Sequence, residues 1–297
     1  MTPRGTIIAA LVVVELAIMG ESVVAVNGMP APPAAFRLAA AGASGPNLVE
    51  DGPHRIFEAA PRPALTVDIG YADLTIITQQ GPDIDVSIAA STSYGVFRAT
   101  APIAARADGR TVRITTTRGN GWTIGDDRMV TVLVPPQTEV TVIRAGDIRA
   151  NGLRAQASFT SVGQGSVTID DYAAPSLVAS SRGRISLHAI VSSRLDATSS
   201  ESRVEGTALQ VRDGSVESDG RVMLGFATGT DTLVTAETKN GHVRVSGLSP
   251  AAPFANGRDS GDGGDADSAL QTVRVGSGNG RLTVHTSDGN IDLTRDG

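Results

Sequence analysis

The residues best suited to chemistry sit in a few places. Between Pro250 and Ala269 the chain reads PAAPFANGRDSGDGGDADSA, which places Asp259, Asp262, Asp265 and Asp267 on a glycine-rich stretch. Carboxylates grouped this way could ligate calcium, a hard cation that takes about six to eight oxygens. Their spacing fits neither the EF-hand loop nor the nonapeptide calcium repeat, so the segment reads as an acidic surface loop. Asp126 with Asp127 and Asp170 with Asp171 are adjacent carboxylates. A glycosidase needs two carboxyls flanking the scissile bond, about 5 to 9.5 Å apart. Neighbours on a strand point to opposite faces, so neither pair is such an apparatus, and both read as turn residues.

The four histidines are His54, His188, His242 and His285. His188 and His285 each stand five residues after a glycine, which directs both outward, and no Ser or Asp is placed by spacing to complete a triad. GSGNGR at 276 is glycine-rich but leads into a strand pattern, not a helix N-terminus, which disfavours a phosphate cradle. Trp122, the only tryptophan, follows Gly119-Asn120-Gly121. There it could stack on a sugar, sit at a lipid interface or cover one end of the fold. The chain has no cysteine, which removes disulfides, thiolate metal sites and thiol nucleophiles together. Net charge is −6 and no basic stretch tracks a phosphate backbone, so nucleic acid is not an expected partner. No catalytic residue, cofactor or metal ligand emerges, and a non-enzymatic protein is expected.

The elements that would carry these residues are strands. Aromatic residues make up only 3% of the chain, so the core must be built of Val, Ile, Leu and Ala, with Thr and Ser in support. After Pro63 apolar residues alternate, as in Leu65, Val67 and Ile69, or Val130, Val132 and Val134. From 146 onward like segments recur: GDIRANGL at 146, GSVTIDDY at 165, GRISLHAI at 183, SRVEGTAL at 202, GRVMLGFA at 220, GHVRVSGL at 241, GRLTVHTS at 280 and GNIDLTRD at 289. The first five steps are 19, 18, 19, 18 and 21 residues, and the next, 39, is two periods with an insertion. A second alternation precedes most of these segments, as at Phe159 and Ser161, Leu177 and Ala179, or Leu195 and Ala197.

Two short strands per ~19 residues cannot bury a face alone, but units stacked ~4.8 Å apart make a continuous internal column. The expected fold is all-β: a β-solenoid, like a single-stranded β-helix, with a β-sandwich as the alternative. Its inward ladder is expected to hold Ile148, Val167, Ile169, Ile185, Leu187, Val204, Val222, Leu224, Val243, Val245, Leu282, Val284, Ile291 and Leu293. Arg184, Ser186, Arg221, Arg244, Arg281 and Asp292 are expected outside, with glycines at corners that need positive φ.

Residues 1–26 carry Arg4 and an apolar run from Ile7 to Met19, the pattern of a secretory signal peptide or an uncleaved signal anchor. Glu15 within a spanning segment would cost about 2.5–3.5 kcal/mol. Residues 27–63 are rich in Ala and Pro and read as a linker, with His54 solvated. Residues 64–297 form the repeat domain, with the acidic Gly/Asp insertion at 250–269. Recurring units such as TAETKNGHVRVSGL and VHTSDGNIDLTRDG resemble a bacterial adhesin-like β-strand-repeat family, akin to auto-transporter adhesin head domains and toastrack-type envelope domains. That resemblance implies an extracytoplasmic, non-enzymatic interaction module, adhesin-like or linked to envelope stress, and it carries no catalytic residues. An envelope protein or surface glycan is the expected partner, with membrane contact through the N-terminal segment if it is uncleaved. A secreted β-helix enzyme acting on polysaccharide is the alternative. Since Leu293 is followed by only four residues, the last strand is expected at an open edge. Asp292, Arg295 and Asp296 would then meet a partner strand there, together with Trp122 elsewhere.

Overall fold

A computed structural model of the protein describes residues 54–90, 103–116, 128–251 and 269–296, all within the unit Val49–Gly297. Every regular element among them is a strand. The first nine are β1 (His54–Phe57), β2 (Ala64–Asp68), β3 (Asp73–Thr78), β4 (Ile84–Ala90), β5 (Ile103–Asp108), β6 (Thr111–Thr116), β7 (Arg128–Val134), β8 (Glu139–Ala145) and β9 (Ile148–Asn151). The middle consists of β10 (Ala157–Ser161), β11 (Val167–Ser181), β12 (Ile185–Ser199), β13 (Val204–Ser218) and β14 (Val222–Phe226). β15 (Thr232–Thr238), β16 (Val243–Ser246), β17 (Ser249–Pro250), β18 (Ala269–Val275), β19 (Gly280–Thr286) and β20 (Ile291–Arg295) follow.

These strands form the expected solenoid. Parallel ladders run along two faces. Face A stacks the ends of β11, β12 and β13, pairing Leu177 with Leu195 and Leu195 with Gly214. Face B stacks their beginnings, pairing Val167 with Ile185 and Ile185 with Val204. Alternation sends one set of side chains between the faces, and all of the expected inward ladder is buried except Val245, which is half-buried. Each buried Val, Leu or Ile contributes about 1.5–3 kcal/mol, so the column is the main source of stability.

A coil of the solenoid has more parts than the two short strands expected of each ~19-residue unit. β11, β12 and β13 each kink where Asp171, Ala189 and Ala208 adopt φ of 50°, 52° and 53°. These residues follow the register partners Asp170, His188 and Thr207, and they align with Gly152, whose φ is 81°. The kinks turn the chain onto a short third side whose inward residues, Leu153, Tyr172, Ile190, Leu209 and Phe226, are fully buried. Tyr172 donates its hydroxyl to the Ser176 carbonyl, and burial pushes its pKa well above the ordinary tyrosine range.

The corner between faces A and B corrects the reason given for its glycines. Gly165, Gly183, Gly220, Gly241 and Gly289 do not have positive φ. They are required by close approach instead: a Cβ on Gly183 would lie 2.6 Å from the Gly165 carbonyl oxygen, and one on Gly241 2.3 Å from that of Gly289. Beside this column runs a ladder of hydroxyls at the ends of the face A strands. Ser161 donates to the Gly146 carbonyl at 2.6 Å, Ser199 to Gly183 at 2.8 Å, Ser218 to Ser202 at 2.7 Å, Thr286 to Gly220 at 2.5 Å and Thr238 to Gly289 at 2.8 Å. Each links one coil to the next, which answers why polar residues occupy inward positions that are 0% to 6% exposed.

At both ends spatial order departs from chain order. β2 and β3 lie between β6 with β7 on one side and β8 with β9 on the other. Antiparallel strands cover this end: β5 on β6, β4 on β7 and β1 on β4. β1 falls inside the stretch read as linker, and His54 is not simply solvated, because its Nε2 lies 2.5 Å from Asp85 Oδ1. Burial raises the Asp85 pKa above the usual carboxylate value, with His54 acting in the opposite direction. At the other end β19 inserts between β13 and β15, and β20 between β14 and β16. The expected open edge at residues 280–297 is therefore wrong: β20 is paired on both sides. The outermost coil there is β15 with β16, and antiparallel β18 covers β15.

Candidate functional site

Because face B holds two residue phases, every coil presents an outward row matched to its inward one. One outward row runs through consecutive register partners: Thr75, Arg149, Thr168, Ser186 and Glu205. Beside it, at the corner, stand Ser166, Arg184 and Arg203, and Arg149, Thr168 and Ser186 of the first row with Ser166 and Arg184 of the second line an open cleft of about 610 Å³. Its other lining residues include Asp147, Arg182 and Glu201.

The acids in and beside this cleft are already engaged. Asp147 Oδ1 accepts from the Ser166 N–H at 2.7 Å and from its hydroxyl at 3.0 Å. Glu205 takes Arg203 at 2.8 Å and Arg184 at 3.7 Å, while Arg182 lies 3.9 Å from Glu201. The side chains of Arg149, Thr168 and Ser186 have no hydrogen-bond or ion-pair partner among the described residues. Arg149 is exposed and the two hydroxyls are half-exposed. The cleft therefore presents one uncommitted guanidinium in line with two uncommitted hydroxyls, held on paired strands.

The residues singled out in the sequence fare differently. Asp292 faces outward on β20 as expected, but Arg221 binds it at 2.7 Å. Asp296 accepts the Ala208 N–H at 2.6 Å, so it ties the last strand to a kink of the middle coils. Arg295 is exposed, and its Cβ approaches the position a side chain on Gly247 would take. Their assignment to a partner contact rested on the open edge, which does not exist. Trp122, Asp126 with Asp127, the four aspartates of the acidic insertion and the segment 1–26 lie outside the described residues.

Asp170 and Asp171 are separated by the kink, with Asp171 bound to Arg154 at 2.7 Å. His188 Nδ1 lies 2.7 Å from the Thr207 hydroxyl, and His285 Nδ1 lies 3.9 Å from Glu237. GSGNGR forms a crossing loop in which the backbone N–H and side-chain amide of Asn279 both donate to Asp231, at 3.1 and 2.6 Å. The Asn279 N–H above all, then the Ser277 hydroxyl and the Asn279 amide, hold the Asp231 carboxyl down at about 2. The row Arg149, Thr168, Ser186 was not singled out as a site. Its signal is the shared register position, visible once the repeats are aligned on their inward residues.

The family described as Toastrack DUF4097 matches residues 63–294. No curated protein matches the chain. Among solved structures, a candidate adhesin from Bacteroides fragilis superposes with a TM-score of 0.48 at 12% identity, covering 82% of this chain and 96% of that one. A candidate cell adhesion protein from Clostridium sporogenes gives 0.34 at 11% identity, covering 82% and 99%. A candidate lipid-binding protein from Parabacteroides distasonis gives 0.39 at 11%, covering 81% and 95%.

Proposed function

The chain belongs to the Toastrack DUF4097 family, and on that footing we propose that its solenoid is a non-enzymatic binding module carried outside the cytoplasm at the cell envelope. The observation that carries this reading is the outward row of face B. A line of uncommitted polar groups on a ladder paired along both edges suits holding an extended partner, because the groups are ordered before the partner arrives. The extracytoplasmic location draws its support from Arg4 and the apolar run Ile7 to Met19. An envelope protein or a surface glycan is the partner class.

Protease added to intact cells or spheroplasts should cleave the full-length chain, whereas a chain protected until lysis would end the location claim. Cross-linking in whole cells followed by purification should recover one recurrent envelope component. Release of reducing ends from polysaccharide by the purified chain would overturn the non-enzymatic reading.

A further inference from the structure

Arg149, Thr168 and Ser186 occupy one register position on three neighbouring strands, β9, β11 and β12. Coils of a parallel ladder repeat every ~4.8 Å, so the three groups span about 10 Å along the solenoid axis. A small anion would use the guanidinium and leave both hydroxyls idle. A ligand that used all three must be extended, carry negative charge at one point and hydrogen-bonding groups along its length. Arg184, only 3.7 Å from a carboxylate that sits closer to Arg203, adds a second cation beside the row. The lining consists of hydroxyls, guanidiniums, carboxylates and amide, with no large apolar side chain to seat a peptide anchor.

We infer that this row binds an acidic polysaccharide lying along the solenoid axis, a uronate carboxylate on Arg149 and ring hydroxyls on Thr168 and Ser186. Guanidinium holds a carboxylate through charge-assisted, often bidentate bonds, and the hydroxyls both donate and accept, which suits a sugar's own hydroxyls. The inference rests on the binding-module reading and gives its partner a chemistry.

The test is a binding titration of the full-length chain in mild detergent against polygalacturonate, with dextran as the neutral polymer and dextran sulfate as a general polyanion. Polygalacturonate should bind at least about tenfold more tightly than dextran. Arg149→Ala should weaken it by about tenfold or more, and Thr168→Ala and Ser186→Ala by about two- to tenfold each. Arg281→Ala, an exposed cation on face A, should leave it unchanged. All four positions are exposed or half-exposed, so melting curves of the variants should match the parent. If Arg149→Ala weakens binding while both hydroxyl variants do nothing, a lone cation is at work and the row is not a site. Equal binding of dextran sulfate, indifferent to the hydroxyls, would overturn the inference in favour of simple charge attraction. Absence of polygalacturonate binding would overturn it too, yet leave the envelope module standing if the whole-cell cross-link still recovers a partner.

Discussion

In the middle of the molecule, from β10 to β14, each coil follows its neighbour in sequence and lies on it in space. At the C-terminal end the chain instead builds the outermost coil first, as β15 and β16, and then inserts β19 and β20 beneath it. Both regions obey the same inward and outward phase: Ile185 and Leu187 in the middle are as buried as Ile291 and Leu293 at the end. The ladder therefore specifies which side chains go inward, while order along the stack comes from connections that the phase does not encode. An interleaved end also leaves no loose terminal strand, since the last one is paired along both edges.

Removing β20 gives the largest effect. Deleting residues 289–297 should strip β16 of its pairing, leave β14 paired only with β13, and remove Ile291 and Leu293 from the column. Apolar burial alone sets the loss on the order of 3–6 kcal/mol, a large share of the total stability of most domains. Denaturant unfolding should lose its single cooperative transition. If the truncated chain melts like the parent, β20 is peripheral and the insertion is wrong.

Next in size is a pair of adjacent substitutions. Ile185→Asp would bury an unpaired carboxylate and cost several kcal/mol, whereas Arg184→Asp, one residue away and outward, should cost only about 0.5 kcal/mol beyond its weak contact with Glu205. Leu293→Asp should match Ile185→Asp if the inserted coil is packed as tightly as the middle ones. A much smaller effect at Leu293 would separate the two regions energetically.

The phase of this fold was legible because Val, Ile and Leu alternate over every coil, and the period was legible because the corner glycines recur. Three things were not. The order of coils at the ends has no local signature, since Leu282, Val284, Ile291 and Leu293 would fit any rung equally. β1, only HRIF, is too short between prolines to show a pattern, and it is recruited by pairing with β4. The third side depends on left-handed residues that in three of its coils are not glycine, Asp171, Ala189 and Ala208, so the lone glycine at the same position, Gly152, does not announce it as a repeat. The hydroxyl ladder did leave a trace: Ser161, Ser181 (which donates to the Gly165 carbonyl), Ser199, Ser218, Thr238 and Thr286 each precede a corner by two to four residues. The row at Arg149 becomes readable only after the coils are set in register.

The corner offers a finer test of whether middle and end are joined alike. Gly183→Ala and Gly289→Ala both drive a Cβ into backbone atoms of a neighbouring coil, at 2.5 Å from the Gln164 oxygen and 2.4 Å from Gly220. Each should cost about 1–3 kcal/mol through forced backbone shifts. Ser199→Ala in the middle and Thr238→Ala at the end should each cost about 1 kcal/mol, since each leaves a carbonyl without its hydroxyl donor. Thermal melts of the four variants would show whether the interleaved coils depend on the ladder as much as the sequential ones do.

The smallest effect tests how the chain reaches the inserted coil. To pass from β18, on one edge of β15, to β19 on the other, the loop 276–279 must cross in front of Asp231, where Asn279 grips the carboxylate. Those hydrogen bonds, together with one from the Ser277 hydroxyl, lower the Asp231 pKa from 3.8 to about 2. A folded-state value below the unfolded one means that the ionised carboxylate stabilises the fold, fully above pH ~4, and that this contribution fades as the pH falls toward 2. The site is exposed, so solvent screening keeps the effect small. Asp231→Asn should therefore lower the melting temperature slightly at pH 6, and the gap between variant and parent should close between pH 4 and pH 2. A gap that stays constant over that range would mean the ionised carboxylate is not what holds the crossing, and that the glycines of the loop fix its path instead.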